Sequence, residues 1–283
     1  MNLKDSPFSK KHSLEIGEKT IDFSTPKVMG VLNVTPDSFF DGGKNNSIDS
    51  ALSQAELLIN EGADFIDVGG YSSKPGAHEV SIEEEINRTV PVVKAIHEKF
   101  PEVYISIDTF RQNVAQENIN AGATWVNDIS AGNLDEEMIP WIKENKIPYI
   151  AMHMRGNPQT MQSQCDYIDL TKQVLAELIS SVRELESDHP LILDPGFGFS
   201  KTLDQNYELM RNLDLFADLD QPFLVGISRK SMIYKLLDTT PDMALNGTTI
   251  LNTIGILKGA SVLRVHDVNE AREVVQLIKK LYS

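Results

Sequence analysis

The chain has one cysteine, Cys165, in 283 residues. That excludes an intramolecular disulfide and any zinc site built from several thiolates. Basic residues are in short supply: 26 Lys and Arg stand against 41 Asp and Glu, a net charge of −15. Nucleic acid and anionic membrane surfaces both require a basic face, so neither is expected as a partner. Long apolar runs are missing as well. The charge-free stretch from Met243 to Leu257 is broken by Asn246, Gly247, Thr248 and Asn252 and falls short of the roughly 18 apolar residues of a spanning helix. Met1–Ser13 has no apolar core of the kind a secretory signal carries, so a cytoplasmic protein is the expectation. With 17 Gly and 13 Pro, the chain has neither the excess nor the period of a collagen-like or low-complexity protein.

What is present is a repeated plan. Eight short apolar runs recur from residue 28 onward: Val28–Leu32, Phe65–Val68, Val103–Ile107, Thr124–Val126, Ile147–Met152, Leu191–Leu193, Phe223–Val225 and Val262–Val265. They are apolar on both faces, as strands buried in a parallel sheet must be. Between them lie stretches with apolar residues three and four apart, such as Ala51, Leu52, Ala55, Leu58 and Ile59, then Val174 to Leu185, then Ala271, Val274, Val275 and Ile278. Each makes one apolar stripe, the mark of a helix packed on a sheet. Ser81-x-x-Glu84 and Asp267-x-x-Glu270 read as capping boxes. Eight strands alternating with eight helices predict an α/β fold, a closed (β/α)₈ TIM barrel, over an open doubly wound sheet. Ahead of it, Leu14 to Phe23 alternates around Gly17, which predicts an N-terminal β-hairpin in 1–27 that closes the barrel bottom. Residues 28–283 are then a single domain.

In such a barrel the site lies at the C-terminal ends of the strands. The residues that follow the runs are Asn33; Gly69 and Gly70; Asp108; Asn127 and Asp128; His153 and Arg155; Asp194; Gly226, then Ser228 to Ser231; and Arg264 and His266. Some of these only make turns and caps, but all eight ends carry such a group. Asp108, Asn127 and Asp194 would supply acceptors and an amide to one side of the mouth. They suit a flat ligand whose edge presents N–H donors in a row. Lys230, Arg264 and His266 would gather on the other side, on the strands where barrels commonly hold phosphate, and suit a small anion. Arg229 is expected in a surface ion pair. Gly196 to Thr202 is similar to a phosphate loop, but Ser200 stands where that motif needs Gly before the Lys. His153 has no second His at metal-ligand spacing.

The motifs are specific enough to carry a resemblance. Val28-Met29-Gly30-Val31-Leu32-Asn33-Val34-Thr35-Pro36-Asp37-Ser38-Phe39 with Asp41-Gly42-Gly43 resembles the first signature of the dihydropteroate synthases. Gly62-Ala63-Asp64 through Gly69-Gly70 and Pro75-Gly76-Ala77 resembles the second. Ser106-Ile107-Asp108-Thr109, Asn127-Asp128, Met152 to Gly156, Asp194 to Phe199, Ser228 to Ser231 and Arg264 to Asp267 follow in the family's order. The resemblance implies a transferase of folate biosynthesis. It would join 4-aminobenzoate to 6-hydroxymethyl-7,8-dihydropterin diphosphate with Mg²⁺ and release diphosphate and 7,8-dihydropteroate. It would work as a homodimer and be a sulfonamide target.

By match of motif, the resemblance places Asp108, Asn127, Met152, Asp194, Phe199, Gly226 and Lys230 around the pterin. Asn33, Arg264 and His266 would hold the diphosphate, Asn33 also touching Mg²⁺. Asp37, Phe39, Ser73, Lys74, Pro75 and Ser231 would hold the 4-aminobenzoate. Asp108, Lys230, Arg264 and His266 are the expected catalytic groups. One departure stands out: Tyr71-Ser72-Ser73-Lys74 replaces the family's usual Glu-Ser-Thr-Arg, and Lys lacks the bidentate fork of Arg. Two other readings share the barrel and its acidic edge: a methyltetrahydrofolate:corrinoid methyltransferase-like domain, and a pterin-binding paralogue without catalysis.

Overall fold

The computed structural model describes residues 13–17, 19–35, 43–71, 80–219 and 221–282. The chain opens with an antiparallel hairpin, β1 (Ser13–Ile16) and β2 (Lys19–Asp22), with Leu14 opposite Ile21. Alternating strands and helices follow: β3 (Lys27–Asn33), α1 (Gly43–Asn60), β4 (Phe65–Gly69), α2 (Ile82–Lys99), β5 (Tyr104–Asp108), α3 (Gln112–Asn120), β6 (Trp125–Asp128) and α4 (Met138–Asn145). The second half runs β7 (Tyr149–Met152), α5 (Leu170–Ser181), β8 (Leu191–Asp194), α6 (Leu203–Arg211), α7 (Asp214–Ala217), β9 (Leu224–Val225), α8 (Ser231–Tyr234), α9 (Leu245–Leu257), β10 (Val262–Val265) and α10 (Val268–Tyr282).

All eight runs read from the sequence are strands, and all are parallel, in the order β8-β7-β6-β5-β4-β3-β10-β9. The two ends of that sheet meet. Leu193 bridges Phe223 in parallel, and its N–H donates to the Pro222 carbonyl at 3.0 Å, which closes the barrel. Two crossovers hold a pair of helices where the sequence pattern suggested one, and α5 stops at Ser181 rather than reaching Leu185. Among the described residues no helix is long and apolar enough to cross a membrane.

Period-two alternation sorts the strand residues into two cores. Outward residues such as Val28, Ile66, Ile105, Val126, Leu193, Val225 and Leu263 pack against the helices in one large cluster. Inward residues of the lower barrel, Met29, Phe65, Trp125, Ile150, Ile192, Leu224 and Val262, form a second cluster joined by Tyr104, so every barrel strand contributes one. The hairpin completes it. Leu14, Ile21 and Phe23 belong to the same cluster and seal the floor with apolar side chains. Above this apolar floor, the polar residues one step higher along each strand face the mouth.

Helix ends show why the crossovers land where they do. Ser81 caps α2 by accepting from the Glu84 N–H at 3.1 Å. Thr202 and Gln205 make a full capping box at α6. Asp267 spends both carboxylate oxygens on Arg229, at 2.7 and 2.9 Å, so Arg229 is the structural ion pair expected of it. At the start of α9, Gly247 has no room for a side chain, because a Cβ there would meet Ile233 Cγ2 at 2.4 Å. Its neighbour Thr248 accepts the Arg229 N–H at 3.0 Å and donates to the Ala244 carbonyl. Small residues at Asn246-Gly247-Thr248 thus let α8 and α9 approach and hold the turn that carries Lys230.

Candidate active site

One pleat above the apolar floor the inward positions turn polar. Asp67 lies two residues after Phe65, Ser106 two after Tyr104, Asn127 two after Trp125, Met152 two after Ile150, Asp194 two after Ile192 and Arg264 two after Val262. Strand register places the next group side by side: Asn33 pairs with Gly69, Gly69 with Asp108, Asp108 with Asn127, and Met152 with Asp194. Residues spread over 230 positions of sequence therefore share one ring because a parallel barrel aligns them.

Arg264 is at the centre of the charge pattern. Its Nε donates to Asp67 Oδ2 and its Nη2 to Asp108 Oδ2, both at 2.6 Å. Asp67 Oδ2 also accepts the Asn127 amide at 3.0 Å. Cations and acids therefore interleave, and the two-sided division expected from the sequence is not what the barrel holds. Asp67 is fully buried. It lies inside an apolar run, so reading only the residue after each run passes over it, although its period-two relation to Phe65 was visible in the sequence.

The other groups of the mouth close the ring. Asp194 is buried and accepts the Gly196 N–H at 2.8 Å through Oδ1. Lys230 donates to the Phe197 carbonyl, and its ammonium lies 4.7 Å from the Phe199 ring centroid. Met152 and Phe199 meet in a small apolar cluster with Ile129, Met154 and Met161. Gly226 lies beside the carboxylate: a Cβ there would stand at contact distance, 3.8 Å, from Asp194 Oδ2. His266 is exposed at the rim, its Nδ1 3.1 Å from Ser228 Oγ. Asn33 is also exposed, and Ser231 begins α8 directly after Lys230. Asp37, Phe39, Ser73, Lys74 and Pro75 lie outside the described residues.

Alternation also removes candidates. Asp128 and His153 follow inward residues and so point out of the barrel. Asp128 accepts from Ser130, Gly132 and the Tyr149 hydroxyl, four hydrogen bonds that shape the turn after β6. His153 faces Glu177 on α5 at 3.0 Å. Arg155 pairs with the same carboxylate and stacks on Tyr167, 3.9 Å from its ring centroid.

Burial sets the proton affinities. It pushes the Asp108 carboxyl up to about 7 even with Arg264 beside it, and raises Asp194 against the pull of Lys230. Burial also draws the Lys230 ammonium down to about 8, with Asp194 opposing. Three carboxylates (Asp67, Asp108, Asp194) surround two cations (Arg264, Lys230), so the layer has acceptors to spare. Asp67 Oδ1 and Ser106 Oγ are buried with no hydrogen-bond partner. A layer of this kind suits a flat ligand rich in N–H donors, or one that develops positive charge.

Tyr71, which replaces the Glu of the resembled signature, is held at the base of the second loop. Its ring meets Phe110 edge-on with centroids 5.3 Å apart, and the Arg111 guanidinium sits 5.2 Å from its centre. Arg111 already has a carboxylate, Glu85, at 2.8 Å, and also donates to the Val80 carbonyl. An aromatic face serves a neutralised guanidinium where a second acid would leave excess charge.

Comparisons with known proteins agree with this geometry. Residues 29–266 match the family described as pterin binding enzyme. The dihydropteroate synthase of Escherichia coli (strain K12) is 44% identical over 268 residues, covering 93% of this chain and 94% of that protein. A solved dihydropteroate synthase of Yersinia pestis, in complex with a sulfonamide drug, superposes with a TM-score of 0.86 at 38% identity, covering 95% of this chain and 98% of the other. One from Xanthomonas albilineans, solved with 4-aminobenzoic acid, gives 0.87 at 31% identity, covering 96% and 98%.

Asp67→Ala leaves Arg264 with one carboxylate and strands the Asn127 amide, and should cost about 3–5 kcal/mol of folding stability in urea. Adding Arg264→Met should cost less than the sum of the two single changes. Simple additivity would contradict the pairing.

Proposed function

The chain belongs to the pterin binding enzyme family, among its dihydropteroate synthases, and we propose that its barrel mouth divides their reaction by depth. The enzyme joins the amine of 4-aminobenzoate to a dihydropterin methylene to give 7,8-dihydropteroate. In this reading the donor is 6-hydroxymethyl-7,8-dihydropterin diphosphate. The observation that carries it is the layer, buried at Asp67 and Asp194 and half-buried at Asp108, Arg264 and Lys230, in which three acids outnumber two cations directly above an apolar floor.

The pterin enters edge first. Asp194 and Asn127 take its N–H edge, Lys230 donates to its acceptor positions, and Met152, Phe199 and Gly226 wall the slot. Asp108 stays closest to the methylene. In the free protein its carboxyl sits at about 7. N–H donors or a growing positive charge nearby favour its ionised form. Arg264 and His266 face the diphosphate from below and from the rim, and Asn33 joins them.

Asn33 offers Mg²⁺ one amide oxygen, and among the described residues no group of three or more His, Cys, Asp or Glu is placed to hold a metal alone. Asn33 would be its protein ligand, an oxygen donor of the kind Mg²⁺ takes. When bound, Mg²⁺ neutralises the charge that grows on the departing diphosphate. Arg264 and His266 stabilise the same charge from the protein.

The methylene–oxygen bond breaks with its electron pair leaving on diphosphate, and the positive charge spreads into the pterin ring beside Asp108. The arylamine nitrogen, neutral at pH 7, donates its lone pair to form the new carbon–nitrogen bond and then loses a proton to solvent. No strong general base is required. Asp37, Phe39, Ser73, Lys74, Pro75 and Ser231 are proposed to hold the aminobenzoate, and the cytoplasm is the proposed compartment. The methyltransferase reading has no diphosphate to place beside His266 and is set aside.

Diphosphate release from the pterin diphosphate is expected only when 4-aminobenzoate and Mg²⁺ are both present. Tight pterin binding without release would point instead to a binding paralogue. A homodimer is proposed over α9, where Ile250 (51% exposed) adjoins the segment of Met243 (71%), Leu236 and Leu237 (57% each). Light scattering should give twice the chain mass at micromolar concentration, and a monomer there would contradict the pairing.

A further inference from the structure

Lys201 is a buried lysine that the reaction described above does not use, only 3% exposed. It belongs to the segment that mimics a phosphate loop, but its ammonium points inward, beneath that segment. Its three N–H donors are all assigned: to the Gly196 carbonyl at 3.0 Å, the Phe199 carbonyl at 3.0 Å and His153 Nδ1 at 3.1 Å. The backbone makes room for this arrangement. Gly196 has φ +72°, and a Cβ there would lie 2.0 Å from the His153 carbonyl oxygen, so no other residue fits. Ser200, at φ +45°, turns the chain inward just before Lys201, and its Oγ accepts the Arg155 N–H at 3.0 Å.

The segment gripped in this way supplies the pterin slot. Asp194 Oδ1 is bound to the Gly196 N–H, the Phe197 carbonyl receives Lys230, and the Phe199 ring lies beside the Lys230 ammonium. We propose that Lys201 is a positioning residue for pterin recognition: it clamps Gly196 and Phe199 from beneath so that Asp194, Lys230 and the Phe199 ring meet the ligand in one arrangement. The proposal rests on the pterin reading of the site given above.

His153 and Glu177 complete the clamp. To accept from Lys201 at Nδ1, His153 must be neutral and carry its proton on Nε2, and Nε2 faces Glu177 Oε2 at 3.0 Å. Burial, aided by Lys201, holds the His153 pKa down at about 3, so the ring stays neutral. His153 in direct contact, with Asp194, Lys230, Cys165 and Glu177 farther off, are the charged or titratable groups that face Lys201. Burial draws its ammonium down to about 7, with Asp194 opposing. Arg155 holds the far side of Glu177. The wiring runs from the half-exposed face of α5 to the underside of the slot.

Three variants test it. Lys201→Met removes every donor, whereas Lys201→Gln keeps two N–H groups for the carbonyls of Gly196 and Phe199. Calorimetry with 6-hydroxymethyl-7,8-dihydropterin should show Kd rising about tenfold or more for Met, with part of that loss recovered in Gln, the scale of one or two buried hydrogen bonds. The KM for 4-aminobenzoate at saturating pterin should stay at its wild-type value. Equal losses in Met and Gln, a parallel rise in both constants, or wild-type pterin affinity would overturn the clamp. Glu177→Gln, changed on the half-exposed face, serves if the lysine variants do not fold. It should weaken pterin binding several-fold with the same KM pattern, and an unchanged Kd overturns the proposal. Aminobenzoate-dependent diphosphate release by the wild type is measured alongside, because its failure would sink the pterin reading rather than the clamp.

Discussion

A guanidinium half-withdrawn from water is held by the carboxylates around it, and in this barrel Arg264 takes two, the fully buried Asp67 and the half-buried Asp108. The pair draws β10 toward β4 and β5 across the barrel axis and places both acids under any molecule that enters the mouth. A buried ion pair of this kind contributes little net stability, because desolvation opposes the Coulomb gain. Its effect is on arrangement. Arg264 occupies one oxygen on each acid and Asn127 shares one of those, while Asp67 Oδ1 has no partner. The site is thereby left short of donors, which an N–H-rich ring can supply.

The same constraint explains why so much depends on the floor. Trp125, Phe65 and Tyr104 pack below the acids with the hairpin residues Leu14, Ile21 and Phe23. Water entering from below would screen Asp67 and Asp108 and lower the premium on a ligand's charge. The hairpin is thus coupled to the chemistry through dielectric, from its place in the floor.

The fold was legible because a parallel barrel leaves a strong trace: runs apolar on both faces, repeated eight times, each ending in a polar group. Several site residues were legible for the same reason, among them Asp108, Asn127, Asp194 and Arg264, all inward by register or alternation. Position after a strand does not say which way a side chain points, however. Asp128, His153 and Arg229 stand in such positions and serve turns and ion pairs outside the mouth. Asp67 showed the reverse difficulty, an acid within an apolar run that only the inward period of its strand exposes. Lys201 was hidden more deeply. Its role depends on the left-handed turns at Gly196 and Ser200, which pattern alone does not reveal.

Depth is the central claim: the pterin ring sits in the acid layer, and the anionic leaving group sits at the rim above it. Calorimetry with the pterin alcohol and its diphosphate separates the two levels. Asp194→Ala should weaken both ligands alike, by about 2–5 kcal/mol, whereas His266→Ala should weaken only the diphosphate. If His266→Ala reduced both affinities equally, or Asp194→Ala spared the alcohol, the layered site would be contradicted.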